Sequence, residues 1–261
     1  MATIIKIITG AEHRPNSMYV MKCIPVTNNL QIAPVFMNHE AVSRFKVGFF
    51  YRLIGHTTFK MANDEMAIQI SARTQNFQWQ PFDIPPEVEE GFFHAFVLSV
   101  EEVLKLPPHT RTSIQGTLTY VSTVKEATTW KKRTLRLSDP SSHREVVNLW
   151  NMLTSKPLPH LNLGVVVCNV VTTMHQGQVS CNTTPETDIK EQIITKEIQI
   201  TGYCEERFNV LIISEADEEF CVTKQMLLDL ANVASLEDFQ LKLPVRALIS
   251  YNTEKIIMSM Q

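Results

Sequence analysis

No apolar stretch in this sequence is long. The longest, Leu163 to Val171, has nine residues and contains Asn169, against the ~20 that a membrane-spanning helix needs. Short runs of alternating or β-branched residues follow one another instead, separated by turn residues such as Asn28-Asn29 and Asp139 to Ser142. A chain written this way folds as short strands joined by tight connections. Strands are expected at Ile4 to Thr9, Met18 to Ile24, Leu30 to Phe36, Val47 to Thr58 and Met66 to Arg73, followed by a proline-bearing stretch, Gln80 to Glu90, that reads as a linker.

A second set opens with a short helix, Ser99 to Leu106, in which Ser99 is placed to cap and Glu102 stands at the capping-box position. Strands are expected at Ser113 to Val124, Arg133 to Ser138, Glu145 to Trp150, Val165 to Val171 and Val179 to Thr183. A third set holds strands Glu197 to Cys204, Phe208 to Ser214 and Glu219 to Thr223, a helix over Lys224 to Ala234, and a strand Val245 to Tyr251 behind Pro244. Three successive β-rich units predict small barrels, each closing its own edges. The division is 1–80, a linker 81–96, 97–190 and 191–261. Met258 and Met260 read as core or tail.

Hydrophobic residues make up 44% of the 261, enough for a core in each unit. The eight glycines contain no GxG pair, which removes the dinucleotide fingerprint and the phosphate-cradling loop. GxSxG and HExxH are absent as well. The expectation is a protein that is not an enzyme. The five cysteines, at 23, 168, 181, 204 and 221, contain no CxxC pair. They read as buried, reduced thiols in a reducing compartment, with neither metal nor cofactor. Lys6 inside the first apolar stretch argues against a secretory signal, and no membrane partner is expected.

Charge is unevenly shared. Residues 1–95 hold 8 Lys/Arg and 8 Asp/Glu, residues 96–190 hold 10 and 7, and residues 191–261 hold 6 and 12. A polyanion is drawn to the middle unit and repelled by the third.

In the middle unit, Lys131-Lys132-Arg133-Thr134-Leu135-Arg136-Leu137-Ser138 leads through the turn Asp139-Pro140-Ser141-Ser142 into Glu145-Val146-Val147-Asn148-Leu149-Trp150. This resembles the strand 2–turn–strand 3 hairpin of the single-strand-binding OB-folds in the replication protein A large subunit. Ser99 to Gly116, with Leu106-Pro107 and Ile114-x-Gly116, is similar to the same family. In the first unit, Leu30 to Asn38, Val42 to Phe45, Tyr51 and Phe59-Lys60-Met61-Ala62-Asn63 resemble the neighbouring OB-fold of that subunit. The third unit has the β-β-β-α-β order of another OB-fold, without a diagnostic motif.

The resemblance implies a mainly β chain of tandem OB-folds, five-stranded Greek-key barrels with few short helices. It implies binding of single-stranded nucleic acid, DNA favoured, by stacking over a basic groove, in nuclear replication, recombination or repair. Phe36 and Trp150 fall on the family's stacking positions in strand 3. Its second stacking aromatic falls on Met66 in the first unit and near Met174 in the second, thioethers in place of rings. Lys125, Lys131, Lys132, Arg133 and Arg136 cluster where the loop between strands 1 and 2 grips a strand, interleaved with Tyr120 and Trp130. Arg44, Lys46, Arg52 and Lys60 give a sparser basic set.

Each reading has a plainer alternative. Phe36 and Trp150 also fit core positions, and the basic residues also fit ordinary solvated surface. Phe92-Phe93-His94-Ala95-Phe96 and the Phe77/Trp79 pair read as packing between units. The acidic third unit is expected to serve packing, self-association or a protein partner. The rival to nucleic-acid binding is an OB-fold adaptor for proteins that has lost it, since the fold hosts unrelated uses.

Overall fold

In the computed structural model, which describes residues 2–14, 17–27, 29–61 and 65–261, three sheets follow one another along the chain. The first contains β1 (Ala2–Ile7), β2 (Glu12–Arg14), β3 (Met18–Pro25), β4 (Ala33–Asn38), β5 (Phe50–Ile54), β6 (Thr57–Lys60), β7 (Met66–Gln69) and β8 (Gln75–Gln78), with helix α1 (His39–Val42) after β4. Helix α2 (Pro86–Phe93) follows. The second sheet contains β9 (Val97–Ser99), β10 (Arg111–Val121), β11 (Lys125–Ala127), β12 (Trp130–Ser138), β13 (Arg144–Trp150), β14 (Gly164–His175) and β15 (Gln178–Glu191). Helix α3 (Val100–Leu104) stands before β10, and a 3-10 turn (Asn151–Ser155) after β13. The third contains β16 (Ile194–Glu205), β17 (Val210–Ser214), β18 (Glu219–Val222), β19 (Val245–Tyr251) and β20 (Ile257–Met260), with α4 (Lys224–Ala231) and α5 (Leu236–Gln240) between β18 and β19.

The pairings define one topology three times. In the second sheet β10 pairs with β12 and β14, β12 with β13, β13 with β15 in parallel, and β14 with β15, so the ring closes. That is the Greek-key order of an OB-fold. The first sheet repeats it, with β1, β3 and β4 as strands 1–3 and a parallel β4–β7 pairing. Its strands 4 and 5 are bent into halves, β5 with β6 and β7 with β8. In the third, β16, β17 and β18 are strands 1–3, β19 and β20 are strands 4 and 5, and a parallel bridge from Cys221 to Ile256 joins the edges. A helix or helical turn always lies between strands 3 and 4.

The bend in strand 4 has the same cause in the first two barrels. Gly55 (φ +75°) and Asn169 (φ +56°) are left-handed, a conformation that glycine and asparagine adopt at lowest cost. Opposite each, strand 5 carries extra residues, between the pairs Thr57–Gln69 and Ile54–Gln75 in one barrel and Val170–Thr183 and Cys168–Asp188 in the other. Each barrel buries its own apolar cluster.

Several expected segments are corrected. The strand read from Val47 to Thr58 starts at Phe50 and breaks at Gly55. The strand read from Leu30 starts at Ala33, because Asn29 and Leu30 are left-handed; Asn28, the other half of the expected turn, lies outside the described residues. The strand read from Met66 ends at Gln69, and a further strand, β8, follows. The strand read from Ser113 to Val124 starts at Arg111 and ends at Val121. The helix over Lys224 to Ala234 stops at left-handed Asn232 and resumes as α5, capped by Ser235. Met258 and Met260 belong to a strand, β20; Met260 packs against the third core, as one of the two readings had it, and Met258 is exposed. The capping box of Ser99 and Glu102 is formed as expected.

The stretch read as a linker holds α2. Pro86 stands at its first turn, where a missing N–H costs nothing, and Glu87 and Glu89 face the positive end. Phe92 packs with Ile8 and Ile24 of the first barrel, and Glu89 pairs with Lys6. Towards the second barrel, Arg111 donates from Nε to the Phe92 carbonyl at 2.9 Å, lies 4.0 Å over the Phe92 ring and pairs with Glu186 at 3.1 Å. Asn169 accepts from the Ala95 amide at 3.1 Å and donates to the Phe93 carbonyl at 2.6 Å. Phe92 and Ala95 are thus interior, but Phe96 is 86% exposed. Phe77 and Trp79 are exposed as well, with Arg52 5.0 Å over Trp79, so they do not pack between barrels.

The third barrel docks on the second at Gly164, whose amide donates to Thr253 Oγ1 at 2.7 Å. A Cβ at Gly164 would lie 2.3 Å from Thr253 Cγ2 and 2.9 Å from Gln192 Oε1, so a larger residue there must displace both side chains. All five cysteines are free. Cys23 and Cys181 are buried, Cys168 and Cys221 half-buried, and Cys204, contrary to expectation, is exposed at the end of β16. Among the described residues no helix is long and apolar enough to cross a membrane.

Candidate nucleic-acid interface

An OB-fold takes an oligonucleotide on the outer face of strands 2 and 3, between the loops joining strands 1–2 and 4–5. In the second barrel these strands are β12 and β13. Alternation sends Leu135, Leu137, Val147 and Leu149 into the core and leaves Lys132, Thr134, Arg136, Asn148 and Trp150 on the outer side. Asn148, though on that side, is buried; Trp150 is half-buried.

Trp130 and Trp150 meet edge to face with centroids 5.9 Å apart. Lys132 Nζ sits 5.2 Å from the centroid of the Trp150 ring. The Trp150 indole Nε1 donates to Asn182 Oδ1 at 2.8 Å, and Asn182 Nδ2 donates to Thr173 Oγ1 at 3.0 Å. The ring is held by strands 4 and 5 while Trp130, 40% exposed, remains open. Lys125 and Lys132 are ladder partners, and Lys131 pairs with Glu126 at 2.8 Å. Exposed Tyr120 has the Arg136 guanidinium 5.3 Å above it. Arg133 does something different. Its Nε and Nη1 donate to the Ser122 and Thr154 carbonyls, tying the strand 1–2 loop to the 3-10 turn.

In the first barrel Phe36 lies half-buried on the outer side of β4. Its neighbour is Phe59 of β6, with centroids 5.7 Å apart and a 44° tilt. Phe59 is 40% exposed. Lys60 is exposed at the end of β6, beside the strand 4–5 loop; Ala62 and Asn63 of the expected motif lie outside the described residues. Arg44 is placed elsewhere, after α1 on the strand 3–4 connection. Its guanidinium is 6.0 Å from the Phe45 ring, and its Nε and Nη2 are buried with no hydrogen-bond partner.

The register separates residues that the sequence groups together. The parallel ladders align Val35–Ile68 with Val147–Cys181, so the counterpart of Phe36 is Asn148, and Trp150 stands two residues further along the same face. Met66 shares the parity of buried Ile68 and Ile70, and Met174 that of buried Thr172. Both methionines are exposed near the strand 4–5 hairpins, on the opposite strand face from Phe59 and Thr173. Phe59 is the residue that sequence reading missed. Counting parity back from Ile68 through the Phe59–Ala67 pair identifies it, once that pairing is known.

Among the described residues no group of three or more His, Cys, Asp or Glu side chains is arranged to hold a metal. No protein-family model matches the chain, and no curated protein sequence matches it. Solved structures of low identity are similar to it, three of which are these. One is a murine DNA-binding protein bound with double-stranded DNA (8% identity, 73% of this chain and 94% of that one, TM-score 0.45). Another is a replication protein A heterotrimer bound to single-stranded DNA (8%, 97% and 88%, 0.40). The third is fission yeast Pot1 with single-stranded DNA (12%, 74% and 84%, 0.40). Strand order and register define the class: a mainly β chain of tandem OB-fold barrels.

Proposed function

We propose that the chain binds single-stranded nucleic acid, DNA by preference, on the outer faces of strands 2 and 3 of its first two barrels, and performs no chemistry on it. The observation that carries this reading is the Trp130–Trp150–Lys132 cluster. An indole oriented by Asn182 and left partly open is a ready surface for a base, and base–aromatic stacking is worth ~1–3 kcal/mol. Lysines beside it supply phosphate contacts. Phe36 and Phe59 form a second, less charged platform. The motif resemblance extends the reading to DNA replication, recombination or repair in the nucleus. The third barrel, acidic and docked through its strand 4–5 loop, serves packing, self-association or a protein partner.

The test is fluorescence anisotropy of a labelled oligo-dT of roughly 20 nucleotides, with wild type and Trp150→Ala at two salt concentrations. Binding that weakens with salt and falls roughly tenfold to a hundredfold in the variant supports the reading. Unchanged affinity in the variant, or no binding at low salt, overturns it.

A protein-adaptor reading draws on one observation. Ile54, Phe77 and Trp79 are exposed on β5, on edge strand β8 and just beyond it, outside the strand 2–3 face. Failure of the oligonucleotide test directs attention there.

A further inference from the structure

We infer that the second barrel carries a phosphate-binding basin at the far end of its strand 2–3 hairpin, apart from the aromatic cluster, which takes a backbone phosphate of the bound strand. This rests on the nucleic-acid reading above. The basin, of about 240 Å³, is lined by Thr119, Arg136, Ser138, Asp139, Ser142 and Arg144. Ser138 is the ladder partner of Arg144, and Arg136 is that of Tyr120, so both guanidinium groups open on the outer face of β12 and β13.

Among the described residues neither arginine is paired with a carboxylate. The one carboxylate at the basin, Asp139, is already engaged. Its Oδ1 accepts from the His143 amide at 2.9 Å, and its Oδ2 contacts the His143 ring at 2.8 Å. The Arg136 guanidinium lies over the Tyr120 ring, 5.3 Å from its centroid, a cation–π contact that holds it at this edge of the basin. Two unpaired guanidinium groups among hydroxyls form an oxyanion site, and planar donor pairs suit phosphate.

A strand phosphate fits better than an acidic peptide. Arg144 and Trp150 lie at opposite ends of one seven-residue strand, β13, on the same side. Six residues at ~3.3 Å each put them about 20 Å apart, within reach of one bound oligonucleotide. The basin therefore lengthens the footprint without adding a stacked base.

The experiment compares the wild-type chain, Arg136→Gln/Arg144→Gln and Trp150→Ala on labelled oligo-dT of about 3 and about 20 nucleotides, one below and one above the usual OB-fold site size. Thermal melting confirms that the variants are folded. The double variant is expected to bind the short oligonucleotide like wild type and the long one several-fold more weakly. Its slope of log K against log salt should be shallower by ~0.7 for each phosphate that is no longer neutralised. Trp150→Ala should weaken both lengths. Equal effects of the double variant on both lengths, or none on either, overturn the basin. If wild type binds neither length, the strand-binding reading fails by itself, and a pyrophosphate titration followed by phosphorus NMR decides the basin. Binding that disappears in the double variant retains it as a free-phosphate site; no binding, or displacement by polyglutamate alone, overturns it.

Discussion

Phe59 lies against Phe36, ring centroids 5.7 Å apart, although twenty-three positions separate them in the chain. The contact joins strand 4 to strand 3 across the outer face of the first barrel. If a base stacks there, both rings serve it. Phe59→Ala should weaken oligo-dT binding by about as much as Phe36→Ala, and the double variant by less than the product of the two effects. Anisotropy titrations of the three variants decide this. An unchanged affinity for Phe59→Ala removes Phe59 from the interface.

Glu126 is the acidic residue beside the lysines of the second barrel, 2.8 Å from Lys131. The pair is exposed and adds little to stability, but it cancels a charge where phosphates would lie. Glu126→Gln should therefore tighten binding a few-fold at low salt and steepen the salt dependence. Weaker binding would show that the ion pair is needed to place Lys131.

Glu145 sits on the inner side of β13, 1% exposed. Burial pushes its pKa up from 4.5 to about 7, and the nearby Val146 and Cys181 amides pull it back only in part. Between these values the folded chain holds a proton that the unfolded chain has released. Stability therefore falls as pH rises from about 4.5 to about 7 and stays lower above that window, by an amount on the order of 3 kcal/mol. Glu145→Gln should flatten the dependence and melt higher than wild type at pH 8. Thermal melts at pH 5 and pH 8 measure it, and parallel shifts in both proteins would refute the assignment.

Gly164 and Thr253 meet where the third barrel docks. Gly164→Ala forces Thr253 to move and should cost ~1–3 kcal/mol. Thr253→Ala removes the hydrogen bond and clears the space. The double variant should be more stable than the sum of the single losses implies. Additive losses in denaturant melts would place the strain of Gly164→Ala elsewhere, for instance at Gln192, whose Oε1 lies 2.9 Å from the added carbon.

Much of the fold is written in local pattern. Leu135, Leu137, Val147 and Leu149 alternate with polar neighbours and occupy the core as such a pattern requires. Ser99 and Glu102 announce a helix and make one. The aromatic cluster was legible only in part, because Trp130 and Trp150 are adjacent only after β12 and β13 pair. Phe59 was illegible, since its face depends on a parallel ladder between distant strands and on the break at Gly55. Helix α2 was hidden by its prolines, which mark a linker as readily as the first turn of a helix. Phe77 and Trp79 look like interior residues by composition, and only the position of β8 at the edge of its sheet leaves them outside.

The attachment of α2 to both barrels bears on when order is acquired. Two binding surfaces on slack chain sample many mutual arrangements, and a ligand spanning them spends part of its interaction energy on choosing one. Here Lys6, Ile8 and Ile24 hold one side of the helix region while Arg111 and Asn169 hold the other. The choice is made when the chain folds. On the proposed reading the two surfaces act as one long receptor, and a substitution such as Arg111→Ala, remote from either surface, would raise the entropic cost of spanning both while leaving each half's own affinity intact.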